Sequence, residues 1–298
     1  MAMTANIRGA MLMTGSMTAF TVNDMFMKLL SDSYPFFQLL FLRTTVVIVL
    51  MVFLAWRAGV FRTQVSRRDR LLIGARTVAE AGGAYFFLNA LFNMPIANAT
   101  AILQALPLTV TLAAAVFLGE PVGWRRIAAI IIGLIGVLII VRPGTEGFTV
   151  YSIYAVVAVV FITARDILAR QLSPDVPSTT VAFFGALGIV TFAAVGSLAV
   201  DWQPMGGIDG LFLVGSAVTV IGGYMFSVMV MRVGDIGAIA PFRYTSLLVA
   251  MILGLVVFKE WPDALTLLGA SIVVATGLFT LWRERQSAKS GHVGLRPR

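Results

Sequence analysis

Ten apolar runs, each long enough to cross a bilayer, divide this chain from one end almost to the other. They lie at roughly 8–30, 36–56, 71–92, 97–118, 125–142, 150–170, 179–200, 209–231, 237–258 and 264–282. A helix needs about 20 apolar residues to span the hydrocarbon core. Only helices and closed barrels satisfy every backbone polar group in lipid. These runs are continuous rather than alternating, so they read as helices. A soluble fold of 298 residues has nowhere to hide a chain that is 59% hydrophobic and only 12% charged, because soluble domains carry about 25% charged residues. The connections are short and rich in Gly, Pro and Asp, as in SDSYP, GEPVG and RPGTEG. Only Arg57–Arg70 and Arg283–Arg298 are longer, and no soluble domain fits anywhere.

The charges give the orientation. With the N-terminus in the cytoplasm, the inner connections receive Arg57, Arg62, Arg67, Arg68, Arg70, Arg125, Arg126, Arg165, Arg170, Arg232 and the basic tail, whereas the outer ones receive only Lys28, Arg142 and Lys259. Lys and Arg favour the cytoplasmic side, so both termini are expected inside a bacterial-type inner membrane. The net charge of +8 sits at the edges of apolar runs, which is a membrane pattern rather than a nucleic-acid one. MAMTANIR followed by an apolar run resembles a signal peptide, but the run continues to about Leu30 without a small-residue cleavage site, and it reads as an uncleaved first span. The chain has no cysteine, which excludes disulfides, thiolate metal sites and a Cys nucleophile.

One phrase occurs twice. Thr21–Pro35, TVNDMFMKLLSDSYP, and Thr163–Pro177, TARDILARQLSPDVP, share Thr, Asp, Leu, Ser and Pro at the same offsets, with Lys28 matched by Arg170. TVAEAGGAYFF at 77–87 resembles TVIGGYMF at 219–226, and 99–121 runs parallel to 239–261, pairing Glu120 with Glu260. Five spans match five spans. Five is odd, so the second copy enters the membrane the other way up. Inverted repeats of this kind build carriers whose site lies near the midplane between halves. The expected fold is all-α and integral to the membrane: ten transmembrane helices as two inverted five-helix repeats around a central cavity. The first repeat is expected at 1–145, the second at 146–284 and a cytoplasmic tail at 285–298.

At this point the chain resembles a known family. Ten spans in two five-helix repeats, with LQALPLTVTLAAAVFLGEPVGWRRIAAIIIGLIGVLIIVRPG closing the first half, look like the EamA type of the drug/metabolite transporter superfamily. The GEP at a helix end, the Gly-rich span after it and RPG are the most specific part. The resemblance covers nearly the whole chain. It implies a ten-helix basket around a central cavity and a carrier of small metabolites. Members of this family carry aromatic amino acids, cysteine-pathway metabolites, riboflavin, nucleoside-like cofactors and carboxylates, and many export amino acids.

Charges inside spans are the informative ones, because a charge at the bilayer centre costs several kcal/mol unless paired or hydrated. Glu80 lies near the middle of its span, and the second half has no carboxylate there. It either faces the cavity, binding a substrate amino group or a proton, or pairs with Arg76 one turn earlier or with Arg243. Asp24 and Arg43 sit at similar depth and can pair across the first hairpin, while Asp24 can also reach Lys28. The repeat offers Asp166 with Arg165 and Arg170. These pairs read as salt bridges that lock hairpins or gate the cavity mouth. Arg243 lies beside Pro241, which breaks the backbone ladder. It either forks onto a substrate carboxylate or snorkels to the cytoplasmic surface.

Gln104 and Tyr244 occupy matching repeat positions, and Pro107 breaks the helix near Gln104. Tyr85 and Tyr224 follow the paired steps Gly82-Gly83 and Gly222-Gly223, where they either meet a flat substrate or fill space beside close helix contacts. Asn89 and Thr100 are weaker candidates. The 14 Met residues read as adaptable packing. Trp56, Trp124, Trp202, Trp261 and Trp282 lie near the expected interfaces, as anchoring residues do. There is no HExxH, Walker A or GxSxG sequence, and His292 is the only histidine, so the usual hydrolase, metalloprotease and ATPase signatures are missing.

The sequence therefore reads as a secondary carrier rather than an enzyme, with no cofactor expected, its partners being the bilayer and a small-molecule substrate. Export of amino acids, aromatic or apolar, is the first expectation. Arg243 would take the carboxylate, Glu80 the amino group or a proton, and Tyr85, Tyr224 and Tyr244 the side chain. Import of riboflavin, a nucleoside-like cofactor or a carboxylate is the alternative, with a channel or intramembrane enzyme more remote. Ten helices can enclose a complete cavity, so a monomer suffices.

Overall fold

The computed structural model describes residues 2–57, 65–144, 148–230, 233 and 239–293, and the regular structure in them is helical throughout. Arg62, Arg232 and the end of the expected tail, 294–298, lie outside the described residues. In chain order the helices are α1 (Ala2–Leu30), α2 (Phe36–Arg57), α3 (Arg67–Asn93), α4 (Ile96–Leu103), α5 (Leu106–Leu118), α6 (Trp124–Val141), α7 (Val150–Arg170), α8 (Ser178–Ser197), α9 (Gly207–Val230), α10 (Thr245–Leu253) and α11 (Ala264–Val293). A 3-10 turn, Ala240–Tyr244, leads into α10, and a π turn, Gly254–Phe258, follows it. Each of the ten expected spans coincides with one helix or with a helix in two or three pieces. Eight described segments are long and apolar enough to cross a membrane, and Phe36–Val49 is a shorter apolar stretch. α1 has the length, at 29 residues, but carries Arg8, Asn23, Asp24 and Lys28. All five tryptophans are exposed, from 47% to 73%, at or near the ends of the expected spans, as interface anchoring requires.

Proline sets the breaks. Pro107 stands in the first turn of α5, where its missing N–H costs nothing, and the chain turns at Gln104 and Ala105 between α4 and α5. Pro241 stands at the start of the 3-10 turn. The helix ends after these breaks repeat each other. Glu120 N–H donates to Ala114 O at 3.3 Å and Glu260 N–H donates to Gly254 O at 2.8 Å, each closing over a left-handed residue, Gly119 (φ 69°) or Lys259 (φ 59°).

The chain divides into two compact units, each drawing on both halves of the sequence. One comprises residues 1–21, 95–149 and 222–298, and the other 22–94 and 150–221. In the second unit α3 packs on α7 and α8, and α2 on α8. In the first, α6 packs on α11 and α4 on α10. The pairs α2·α8, α4·α10 and α6·α11 join repeat counterparts, spans 2 and 7, 4 and 9, 5 and 10. The α6·α11 crossing is tight: a Cβ on Gly136 would lie 2.9 Å from Gly269 O, and one on Gly269 would lie 2.6 Å from Gly136 O. Small residues let membrane helices approach this closely. The echo phrase packs alike in both units. A Cβ on Gly83 would stand 3.0 Å from Ile162, and one on Gly223 would stand 2.9 Å from Phe20. Ile162 and Phe20 are the residues just before the two copies of the repeated phrase.

Candidate functional site: an aromatic cavity beside an ion-paired helix

The unit of residues 22–94 and 150–221 holds a cavity of about 1590 Å³. It follows α3 from Arg70 to Phe86, about 24 Å at 1.5 Å per residue. The opposite wall is α8, from Thr180 to Phe192, with Phe161 of α7 and Phe37 of α2 closing in. The walls are mostly apolar and ringed. Tyr85 lies face to face with Phe37 (centroids 6.2 Å) and edge-on to Phe36 (5.4 Å), Phe86 (5.3 Å) and Phe192 (6.1 Å). Phe86 in turn stacks on Phe161 at 5.5 Å. The polar lining is three threonines, Thr77, Thr180 and Thr191, with Arg70 and the Tyr85 hydroxyl. Thr191 already donates to Leu187 O at 2.8 Å, whereas the Thr180 hydroxyl is buried with no partner among the described residues.

Glu80 is one helical step away from this lining. Arg76 Nη1 lies 2.7 Å from its Oε2 and Arg165 Nη1 lies 3.8 Å from its Oε1. Arg165 also holds Asp166 Oδ1 at 2.9 Å. The carboxylate is 11% exposed and sits against Gly185 of α8, where a side chain would collide with it. Of the roles expected for Glu80, the pair with Arg76 is therefore formed, and Arg165 joins it. Asp166 takes its chain neighbour Arg165, and Arg170 stands in the last turn of α7, where a cation complements the helix dipole. The link between Asp24 and Arg43 runs through Asn23, which accepts from Arg43 Nη1 at 3.4 Å and donates to Asp24 Oδ1 at 2.9 Å. Lys28 reaches the end of α3. Its ammonium donates to Leu91 O (3.1 Å) and Met94 O (2.6 Å) at the end of α3, where carbonyls lack helical partners.

The same unit carries two related latches that the sequence reading missed. Asp69, in the first turn of α3, accepts from Ser66 Oγ (2.6 Å) and from Ser173 N–H (3.1 Å) and Oγ (3.2 Å). Asp209, in the first turn of α9, accepts from Tyr34 Oη at 2.6 Å; that bond raises the Tyr34 hydroxyl above its ordinary pKa. Each of the two aspartates is the third residue of its helix, α3 or α9. Gln38 adds a two-way bond to the backbone of Gln203, at 2.7 and 2.9 Å. The signal for Asp69 was available in Ser66-Arg-Arg-Asp69, a capping pattern before an apolar run. Nothing marked Phe37, Phe161, Phe184 and Phe192 as lining among the chain's 21 phenylalanines.

In the unit of residues 1–21, 95–149 and 222–298, the two broken helices meet at polar groups. Gln104 Nε2 donates to Ser246 Oγ at 2.7 Å, and Ser246 Oγ donates to Arg243 O at 3.0 Å. Tyr244 is 6% exposed; its hydroxyl packs on Gly277 and lacks a hydrogen-bond partner among the described residues. The Arg243 side chain is exposed, with no ion-pair partner among the described residues. Tyr224 is half-exposed with its ring edge-on to Phe20 at 5.2 Å. The Glu260 carboxylate accepts from Ile96 N–H at 3.2 Å, which places an anion on the N-terminus of α4. Of the weaker candidates, Asn89 donates to Tyr85 O at 2.7 Å, and Thr100 is 6% exposed, its hydroxyl without a hydrogen-bond partner among the described residues.

Comparison with known proteins agrees with this architecture. The EamA-like transporter family matches residues 7–142. An S-adenosylmethionine uptake transporter of Rickettsia felis is 30% identical over 66% of this chain and 67% of its own length. A riboflavin transporter of Vibrio cholerae is 30% identical over 68% of each. A pseudopaline exporter of Pseudomonas aeruginosa is 26% identical over 89% of this chain and 93% of its own. One solved crystal structure superposes with a TM-score of 0.62 over 93% of this chain and 97% of that one, at 19% identity, a likeness of fold alone. With an all-helical, multi-spanning fold and relatives of this closeness, the chain belongs to the EamA-like transporter family of the drug/metabolite transporter superfamily and is a membrane transporter of that type.

Proposed function

We propose that this chain moves a small metabolite bearing a flat ring across a bacterial inner membrane by alternating access, with both termini in the cytoplasm. The cavity of residues 22–94 and 150–221 carries this reading. It is longer and larger than the usual small-ligand pocket of about 300–1,000 Å³, and its aromatic walls suit a planar ring, since offset and edge-on ring contacts add about 0.5–1.5 kcal/mol each. Two of the relatives are named for S-adenosylmethionine and riboflavin, both of which carry a heteroaromatic ring. Uptake of such a compound is the reading that we favour. Export of aromatic or apolar amino acids is the second. It draws on the exposed Arg243 guanidinium, which has no ion-pair partner among the described residues and fits a carboxylate, and on the exporter that aligns with 89% of the chain.

Counterflow tests both readings. The purified protein in liposomes is loaded with riboflavin, S-adenosylmethionine, tryptophan, phenylalanine, threonine, cysteine or a dicarboxylate, and accumulation of the labelled compound is followed. Saturable accumulation with ring compounds alone supports the proposal. Accumulation confined to tryptophan and phenylalanine moves the second reading to first place. Accumulation only with threonine, cysteine or the dicarboxylate removes the ring as the recognised feature.

A further inference from the structure

The charges around the cavity narrow the cargo class further. Among the described residues that line it, the only ionisable side chains are Arg70 and Tyr85. No carboxylate among the described residues reaches the lining. The nearest acid on α3, Glu80, is already held by Arg76 and Arg165, so its charge is matched by two guanidinium groups. A cationic centre brought into this apolar space would lose its hydration and find no counter-ion. An anion would find one, because Arg70 stands at the α3 N-terminal end of the cavity with an exposed side chain, where the helix dipole also favours negative charge. A neutral ring with hydroxyl or carbonyl groups would need only hydrogen bonds. Thr180 offers one, a buried hydroxyl in the wall without a partner among the described residues.

We infer that the site takes neutral or anionic ring compounds and discriminates against cations, with Arg70 as the contact for an anionic group and Thr180 as a hydrogen-bonding contact for the ring's polar edge. This rests on the cavity's being the cargo site, as proposed above. It separates the two ring-bearing classes among the relatives, because a sulfonium cation and a neutral flavin differ in the property that the lining reads.

The test uses compounds that share a ring and differ in charge: adenosine, adenosine monophosphate and S-adenosylmethionine, then riboflavin and flavin mononucleotide. Each is offered to proteoliposomes of the full chain, singly and in competition. The expected result is that, within the adenine set, the neutral or anionic member competes at least about tenfold better than the cation. Arg70→Gln, at an exposed position, should weaken the monophosphates about fivefold to tenfold relative to their neutral parents. Thr180→Val should weaken neutral and anionic members alike. The cation competing as well as adenosine, or an Arg70→Gln protein with an unchanged anion-to-neutral ratio, overturns the inference and leaves the carrier reading standing. Failure of every ring compound, with amino acids still carried, overturns both.

Discussion

The two compact units take different spans from both halves of the chain, and they handle polarity in different ways. In residues 22–94 and 150–221, charged groups pair across helices: Arg76, Glu80, Arg165 and Asp166 form a chain between α3 and α7, and Asp69 and Asp209 latch helix starts to neighbouring turns. In residues 1–21, 95–149 and 222–298, the helices are held by backbone approach at Gly136 and Gly269 and by neutral bonds such as Gln104 to Ser246 and Ser16 to Gly223 O, while the charged contacts, Arg142 with Asp263 and Glu260 with Ile96 N–H, stand at helix ends. Features that the units share lie in the backbone, such as the contacts of Gly83 and Gly223. Features that differ lie in the side chains.

The sharpest way to break this contrast is at the glycine crossing. Gly269→Val puts branched carbon where the Gly136 carbonyl stands 2.6 Å from a Cβ position. Two helix backbones cannot yield as a flexible side chain does, so the loss is expected to exceed the usual overpacking cost of about 1–3 kcal/mol. Thermal unfolding in detergent should show a larger drop than Glu80→Gln or Gln104→Leu produces, and an unchanged midpoint would mean that the crossing is looser than described.

Next in size is Glu80→Gln. It leaves Arg76 and Arg165 without their shared anion in a site of low exposure. Removing one partner of a buried pair costs about 3–5 kcal/mol, and the partial exposure here brings the expectation to about 2 kcal/mol. The variant separates two roles. A structural role predicts lower stability and near-normal transport in the protein that remains folded. A role in binding an amino group or a proton predicts normal stability with transport lost.

How much of this was legible beforehand follows from the physics of each feature. The ten spans, the break at Pro107 and the pairing of the interrupted helices that carry Gln104 and Tyr244 were visible, because apolar runs, proline and internal similarity act locally. The direction of Lys28 toward Leu91 and Met94 was not, since carbonyl acceptors at a helix end leave no mark on side-chain type. Nor was the cavity. In a chain where nearly every face is apolar, a phenylalanine lining a cavity has the same sequence setting as one facing lipid. Of the alternatives open for Glu80, the pair with Arg76 was legible because a four-residue spacing fixes neighbours on a helix.

A smaller effect is expected at Gln104. Its bond to Ser246 joins the C-terminal end of α4 to the first turn of α10, and a neutral buried bond contributes about 1 kcal/mol. Gln104→Leu should lower stability by about that amount, roughly half the Glu80→Gln loss. A loss equal to or above that of Glu80→Gln would erase the distinction between a charged link between helices in one unit and a neutral one in the other.

The smallest effects lie where the two repeats differ by a single residue in one conformation. Gly119 and Lys259 both close a helix in the left-handed region, and the hydrogen bonds over them join repeat-equivalent atoms. Glycine enters that region freely, whereas a residue with a Cβ is disfavoured by roughly 1 kcal/mol. Lys259→Gly should therefore stabilise the protein by up to about 1 kcal/mol, and Gly119→Ala should destabilise it by a similar amount, both read as shifts in the unfolding midpoint. Two effects oppose the gain at Lys259: glycine also loosens the unfolded chain, and Lys259 Nζ donates to Val256 O at 3.0 Å. Opposite signs at the two positions mean that the cap is a property of the shared backbone. A Lys259→Gly protein that is less stable than the parent means that the lysine's bond to Val256 outweighs its strained φ, and that this helix end, unlike the glycine contacts that the two units share, has come to depend on its side chain.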